Sequence, residues 1–250
     1  MHDIYMAEVL DDFRRCYNAA GCHLQSQVQE GIFWIKAIPT PPFLEHLSFR
    51  LANQLFFIHI YDVDGGFETP GTPEGLNRIA FETKGQPCLM PMKRQAGKWV
   101  AVENGWGLVH AVTGQPVNPV DLVTDELIQM TDWEVHDLAV QIVRDSLKGR
   151  QIMSWCSDIE IQPSIWFVGD YGPEWIIVQA LRYPAKSAPP PENLKDILKK
   201  CSRLSNRGHL ARVGVAASDQ RDNSAPLPLY RGHCLNIQYT GMTPLFTQAS

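Results

Sequence analysis

A mixed α+β protein is what this chain predicts, a central mixed β-sheet flanked by helices, with a hairpin-rich N-terminal half. Three observations carry that expectation. Residues 175–181 (Trp-Ile-Ile-Val-Gln-Ala-Leu) are almost continuously apolar, the pattern of a strand buried on both faces in the middle of a sheet. Apolar residues recur at helical spacing over 6–20, 131–147 and 192–204. Between 87 and 114, short strand-like pieces alternate with Gly97, Asn104-Gly105 and Gly114, which signals hairpins.

The first helix, 6–20, buries Val9, Leu10, Phe13 and Tyr17, with acids early and Arg14-Arg15 later, as the helix dipole favours. Residues 31–38 read as a strand. Thr40-Pro41-Pro42 then breaks it and opens a helix through Leu44, Leu47, Leu51 and Ala52. A strand at 55–61 closes at Asp64-Gly65-Gly66, and a Gly/Thr/Pro-rich loop leads to a short helix at 75–83. Strands are expected at 87–92, 98–103 and 107–112, the last two joined by Asn104-Gly105. Residues 120–130 predict irregular chain or a short helical turn.

From Thr131 the pattern sharpens. Thr131 or Asp132 caps a helix with Glu134 in its first turn, and Val135, Leu138, Ala139, Ile142, Val143 and Leu147 form its stripe until Gly149 ends it. Strands follow at 152–156, 164–169 and 174–183, then a Pro-rich connector at 184–191 and a helix at 192–204. Strands at 209–217 and 234–240, separated by a polar loop at 218–230, complete the core; the tail after Phe246 is expected to fray. Residues 33–62 and 174–217 share a strand–helix–strand layout, the form of a β–α–β crossover. The division expected is a lobe at 1–125 and a second at 126–250, or one compact domain.

A hydrophobic share of 44% and a charged share of 20% exclude global disorder. Net charge is −5 and the pI is near 5.9, against whole-surface attraction to nucleic acid or anionic membrane. No stretch is long and apolar enough to predict a membrane span, and the N-terminus lacks the basic and apolar regions of a secretory signal. The six cysteines are scattered without a C-x-x-C pair, so reduced thiols in a soluble cytoplasmic protein are expected. Cys16, Cys22 and His23 lack the spacing and the fourth ligand of a zinc site. Asp62-Val63-Asp64-Gly65 lacks the later ligands of a calcium loop.

Phosphate-loop, dinucleotide-binding, nucleophile-elbow and H-E-x-x-H motifs are all missing. Neither His59 nor His136 has a Ser or Cys nucleophile paired with it in sequence. Residues 131–217, helix–strand–strand–strand–helix–strand with Pro163-Ser164 opening the second strand and Gln179-Ala180-Leu181 in the third, resemble the core of the PD-(D/E)XK nuclease-like superfamily. That resemblance implies a helix acid, here Glu134. It also implies carboxylates holding Mg²⁺ where this chain has Ser164 and Gln179, and a lysine where it has Leu181. Neutral groups at these places predict a nuclease-like scaffold without the reaction and without a cofactor. The alternative is a divergent Mg²⁺-dependent nuclease using Glu134, Asp158 and Glu174, in which Glu160 and Asp170 also stand near strand ends.

The binding expectation rests on charge. Within 182–212 there are eight basic residues, opposed by Glu192 and Asp196 alone. Lys195, Lys199 and Arg203 share a helical face, with Lys200 and Arg207 nearby. Trp99 and Trp106, in the Gly-rich hairpin, are candidate exposed anchors. The function expected is therefore a non-catalytic binding or accessory protein with a protein partner; nucleic acid is a lesser possibility through the 182–212 region, and a membrane is not expected.

Overall fold

The computed structural model describes residues 10–39, 46–221 and 225–245. The expected helix start at 6–9, the Pro-initiated start at 40–45, part of the 218–230 loop and the tail after Phe246 lie outside them. The fold is α+β, with four α-helices and two mixed sheets among the described residues. The chain forms two compact units, Tyr5–Ile128 and Gln129–Ser250.

In the first unit, α1 (Asp11–Ser26) buries Phe13, Cys16, Tyr17, Ala20 and Leu24, one stripe at helical spacing. The sheet contains β1 (Ile32–Lys36), β2 (Leu47–Leu51), β3 (Gln54–Asp62), β4 (Gln86–Gln95), β5 (Lys98–Ala101), β6 (Leu108–His110) and β7 (Pro116–Val117). Its order is β1-β2-β3-β4-β6-β7, with β5 also pairing β4. Only the β3–β4 pair is parallel. Between those strands runs α2 (Pro73–Thr83), whose start is fixed by Thr72, with Oγ1 accepting from the Gly75 amide at 3.0 Å. Phe49, Phe56, Ile58, Met90 and Met92 carry the core against α1.

The second unit opens with α3 (Asp132–Ser146), started by a complete Thr131–Glu134 capping box. Its sheet has order β12-β11-β10-β9-β8, built from β8 (Ile152–Trp155), β9 (Ile165–Gly169), β10 (Gly172–Arg182), β11 (Gly208–Ala217) and β12 (Leu235–Leu245). β10 and β11 are parallel, joined through α4 (Leu194–Cys201), and the other neighbours are antiparallel. Alternation along the strands divides the side chains between two faces. Ile176, Val178, Ala211, Val213 and Val215 face α3 and form one core with its stripe. On the opposite face Trp175, Ile177 and Leu210 pack with Ile197 and Cys201 of α4. Trp175 is fully buried and is among the largest fully buried side chains of the described residues.

Three local expectations are corrected. The segment 47–51 is strand, not helix: Leu47–Leu51 zips antiparallel onto β3 through a turn at Ala52-Asn53, so sheet pairing overrides the helical spacing of Leu47 and Leu51. The strand–helix–strand layout assigned to 33–62 is thus an antiparallel arrangement, and the first unit's crossover is β3–α2–β4. The Asn104-Gly105 turn does not join a hairpin, because β5 and β6 each pair with β4. The helix expected over 192–204 is shorter, 194–201.

Candidate binding cleft

The anticipated carboxylates do not converge. Glu134 completes its capping box, with Oε2 accepting from the Thr131 amide at 2.9 Å, and Arg231 clamps it bidentately at 2.8 and 2.9 Å. That ion pair is closed off from solvent, 0% and 4% exposed. Asp158 sits in a turn, its Oδ1 accepting from the Glu160 amide at 2.9 Å. Glu174 lies across Gly169, where a Cβ would stand 2.2 Å from its Oε1, and meets His209 Nε2 at 2.7 Å. Asp170 pairs with Arg150 at 2.5 Å; hydrogen bonding to that guanidinium, and then its charge, hold the exposed carboxyl below the usual range. Among the described residues no three His, Cys, Asp or Glu side chains come together to hold a metal ion.

At the other signature positions, Ser164 Oγ accepts from the Val178 amide at 3.3 Å, and Leu181 is buried. Cys16 is buried and its thiol is pushed up to about 12 by burial and then by Asp62, while Cys22 is exposed and His23 meets the Gly105 carbonyl. His59, on β3, is kept below the usual imidazole value by burial, and its ring stands 5.8 Å from that of His46.

Two expected anchors are corrected. Trp106 is buried at 8% exposure, stacked on Phe49. Trp99 is half-buried, edge-on to Phe67 with the Arg94 guanidinium over its ring. The glycines around them mark backbone turns, and the indoles fill the core. The expected basic side chains Lys195, Lys199, Lys200, Arg203 and Arg207 are all exposed. Arg207 covers the Tyr171 ring at 4.5 Å, whereas Lys195, Lys199, Lys200 and Arg203 have no ion-pair partner among the described residues.

Beyond α4, on the same face of the sheet, lies a cleft of about 550 Å³. Strand register builds its floor: Leu181 pairs with Gly214, Gly214 with Gln238, and Ala216 with Asn236, so these side chains share a face. Leu210 belongs both to the cleft lining and to the core under α4. The connector after β10, residues 183–187, forms part of the wall. Arg212 ties that connector down, with Nε donating to Gln179 Oε1 at 3.2 Å and Nη2 to the Ala188 carbonyl at 2.9 Å. Gln179 Nε2 donates to the Pro189 carbonyl at 2.7 Å. Among the described residues, Lys186 and Arg212 are the charged ones lining the cleft, and no carboxylate lines it.

β12 forms the outer side and the edge of the sheet. Its eleven residues, Leu-Asn-Ile-Gln-Tyr-Thr-Gly-Met-Thr-Pro-Leu, carry no charge, and the ladder to β11 is broken by a bulge near Gly241. The sequence reading missed this site. Its signal was two polar residues, Gln179 and Arg212, interrupting otherwise apolar strands at paired positions.

A family model described as a domain of unknown function (DUF8840) matches residues 133–245, which take in α3 through β12. No curated protein and no solved structure matches the chain.

Proposed function

We propose that this is a non-catalytic binding protein whose second unit recognises another protein, taking an extended segment of it into the cleft beside β12. The observation that carries this reading is the cleft itself, roomy enough for several side chains, open on a sheet face, and bordered by β12, the edge strand among the described residues. The lining gives both apolar floor (Leu181, Leu210, Ala216) and hydrogen-bonding wall (Asn236, Gln238, Thr240), the mixture a polypeptide needs. The unpaired cations of α4 lie on the same side of the sheet and favour an acidic partner. Protein is preferred to nucleic acid because net charge is −5 and Tyr183 is the single aromatic among the described residues lining the cleft. The six described cysteines are all free, which supports a cytoplasmic setting; no described helix is long and apolar enough to cross a membrane.

The test is selection of phage-displayed random peptides on the full chain, followed by binding to Ala216→Trp, which fills the cleft floor. Recovered peptides should lose binding to that variant. Peptides that bind both proteins equally, or an empty selection, defeat the reading. The alternative, a divergent Mg²⁺-dependent nuclease, draws on the helix–strand–strand–strand–helix–strand order of 132–217. The separate partners of Glu134, Asp158 and Glu174 weigh against it. DNA cleavage with Mg²⁺ or Mn²⁺ that disappears in Glu174→Gln would reinstate it.

A further inference from the structure

We infer that Arg212 selects an acidic side chain in the cleft, receiving the carboxylate of an Asp or Glu of the bound segment through its remaining N–H groups; this rests on the proposed reading of the cleft as a polypeptide site. A guanidinium has five N–H groups in a rigid planar fork. Arg212 commits one on Nε and one on Nη2, both to neutral oxygens, those of Gln179 and Ala188. The remaining three are two on Nη1 and one on Nη2, enough to donate to both oxygens of a carboxylate. They have no acceptor among the described residues, and no described acid lines the cleft.

Gln179 is the second half of the argument. Directly beside Arg212 in register, it accepts from Nε and fixes the guanidinium plane without cancelling its charge. A carboxylate at that position would occupy Arg212 internally. An amide leaves a half-buried, oriented cation, and a cation in that condition favours an anionic partner. Lys186 adds a second positive charge from the connector. The neighbouring lining, Leu181, Gly214, Gln238 and Thr240, is neutral, which suits one acid flanked by uncharged residues rather than a phosphate chain.

The experiment repeats the peptide selection on the full chain and compares wild type with Arg212→Gln, Arg212→Lys and Gln179→Glu, each checked for an unchanged thermal melt. Wild type is expected to recover peptides with Asp or Glu at one fixed position. Their affinity should fall at least about tenfold with Arg212→Gln, with Gln179→Glu, or when the peptide acid becomes its amide, and Arg212→Lys should retain part of it. Peptides that are lost on Ala216→Trp yet carry no acid, and bind Arg212→Gln as well as wild type, overturn this inference while the cleft reading stands. Peptides indifferent to Ala216→Trp remove both. Inorganic phosphate that shifts the Arg212 Nε–H resonance and displaces the peptides more tightly than they bind overturns it in favour of a phosphate ligand. If any one variant fails to fold, the peptide-side replacement of acid by amide still decides the matter.

Discussion

The two β–α–β crossovers of this protein are built on one device and finish differently. In each, the strand after the helix begins at or beside a glycine that lies under an aromatic ring of the strand before it. A Cβ at Gly85 would stand 2.7 Å from the Phe57 ring, and one at Gly208 2.3 Å from the Trp175 ring. The helices between them differ. α2 has eleven residues and α4 eight, so they run roughly 16 and 12 Å. Their parallel strand pairs overlap from Phe56 to Asp62 and from Trp175 to Arg182, roughly 23 and 26 Å. The longer helix thus spans more than half of the shorter pair, and the shorter helix less than half of the longer one. The second unit's cleft stands on the part of β10 and β11 that α4 fails to reach. The first unit, by contrast, holds a void of about 20 Å³ beside His46 and His59, room for about one water. The helix over the cleft-bearing crossover is about one turn shorter than its counterpart.

That contrast can be broken or sharpened by mutation. The largest effect is expected for Arg231→Met, which strands a buried Glu134 carboxylate and should remove about 3–5 kcal/mol. Hydrogen exchange should quicken across α3 while α1 and β3 keep their protection; equal loss in both units would erase the distinction between them. An ion pair of the first unit, Asp12–Arg94, is half exposed, so Asp12→Asn should change stability by less than about 1 kcal/mol. Next come Gly208→Ala and Gly85→Ala, each overpacking an aromatic ring by roughly 1–3 kcal/mol. Gly208 should be the worse, since Trp175 is held by its Nε1 donating to the Ser205 carbonyl at 3.0 Å, and its fluorescence should shift. Denaturation curves that rank Gly85 above Gly208 count against a shared device. The smallest effects test the helix starts. Thr72→Ala should cost about 1 kcal/mol by removing the cap of α2. Asn193→Ala at the start of α4, which has no side-chain cap bond, should stay within about 0.5 kcal/mol.

Legibility in the sequence follows the same division of causes. The α3 capping box was readable because Thr131 and Glu134 signal through local backbone chemistry. β10 was readable because burial on both faces leaves a continuous apolar run. β2 was not, since its turn at Ala52-Asn53 uses a non-glycine residue at φ 49° and its identity depends on pairing with β3. Trp99 and Trp106 were misplaced because flanking glycines describe the backbone and say nothing of where an indole points. Of the expected site, the acids were visible but their individual partners were not: Arg231 lies 97 residues from Glu134 and His209 lies 35 from Glu174. The cleft, signalled by Gln179 and Arg212 alone, was hard to read for a further reason. It is a space left by helix length and strand register, and no motif encodes a space.

The Glu134–Arg231 clamp has a bearing on synthesis. Residues emerge from a ribosome at roughly 5–20 per second, so the acid at the start of α3 waits about 5–20 seconds for its counter-charge. Until then that carboxylate lacks the guanidinium that accompanies it into the interior of the folded unit. Arrival of Arg231 lets the Gln129–Tyr230 bridge and the helix start close together, a latch that engages when nearly the whole unit has been made.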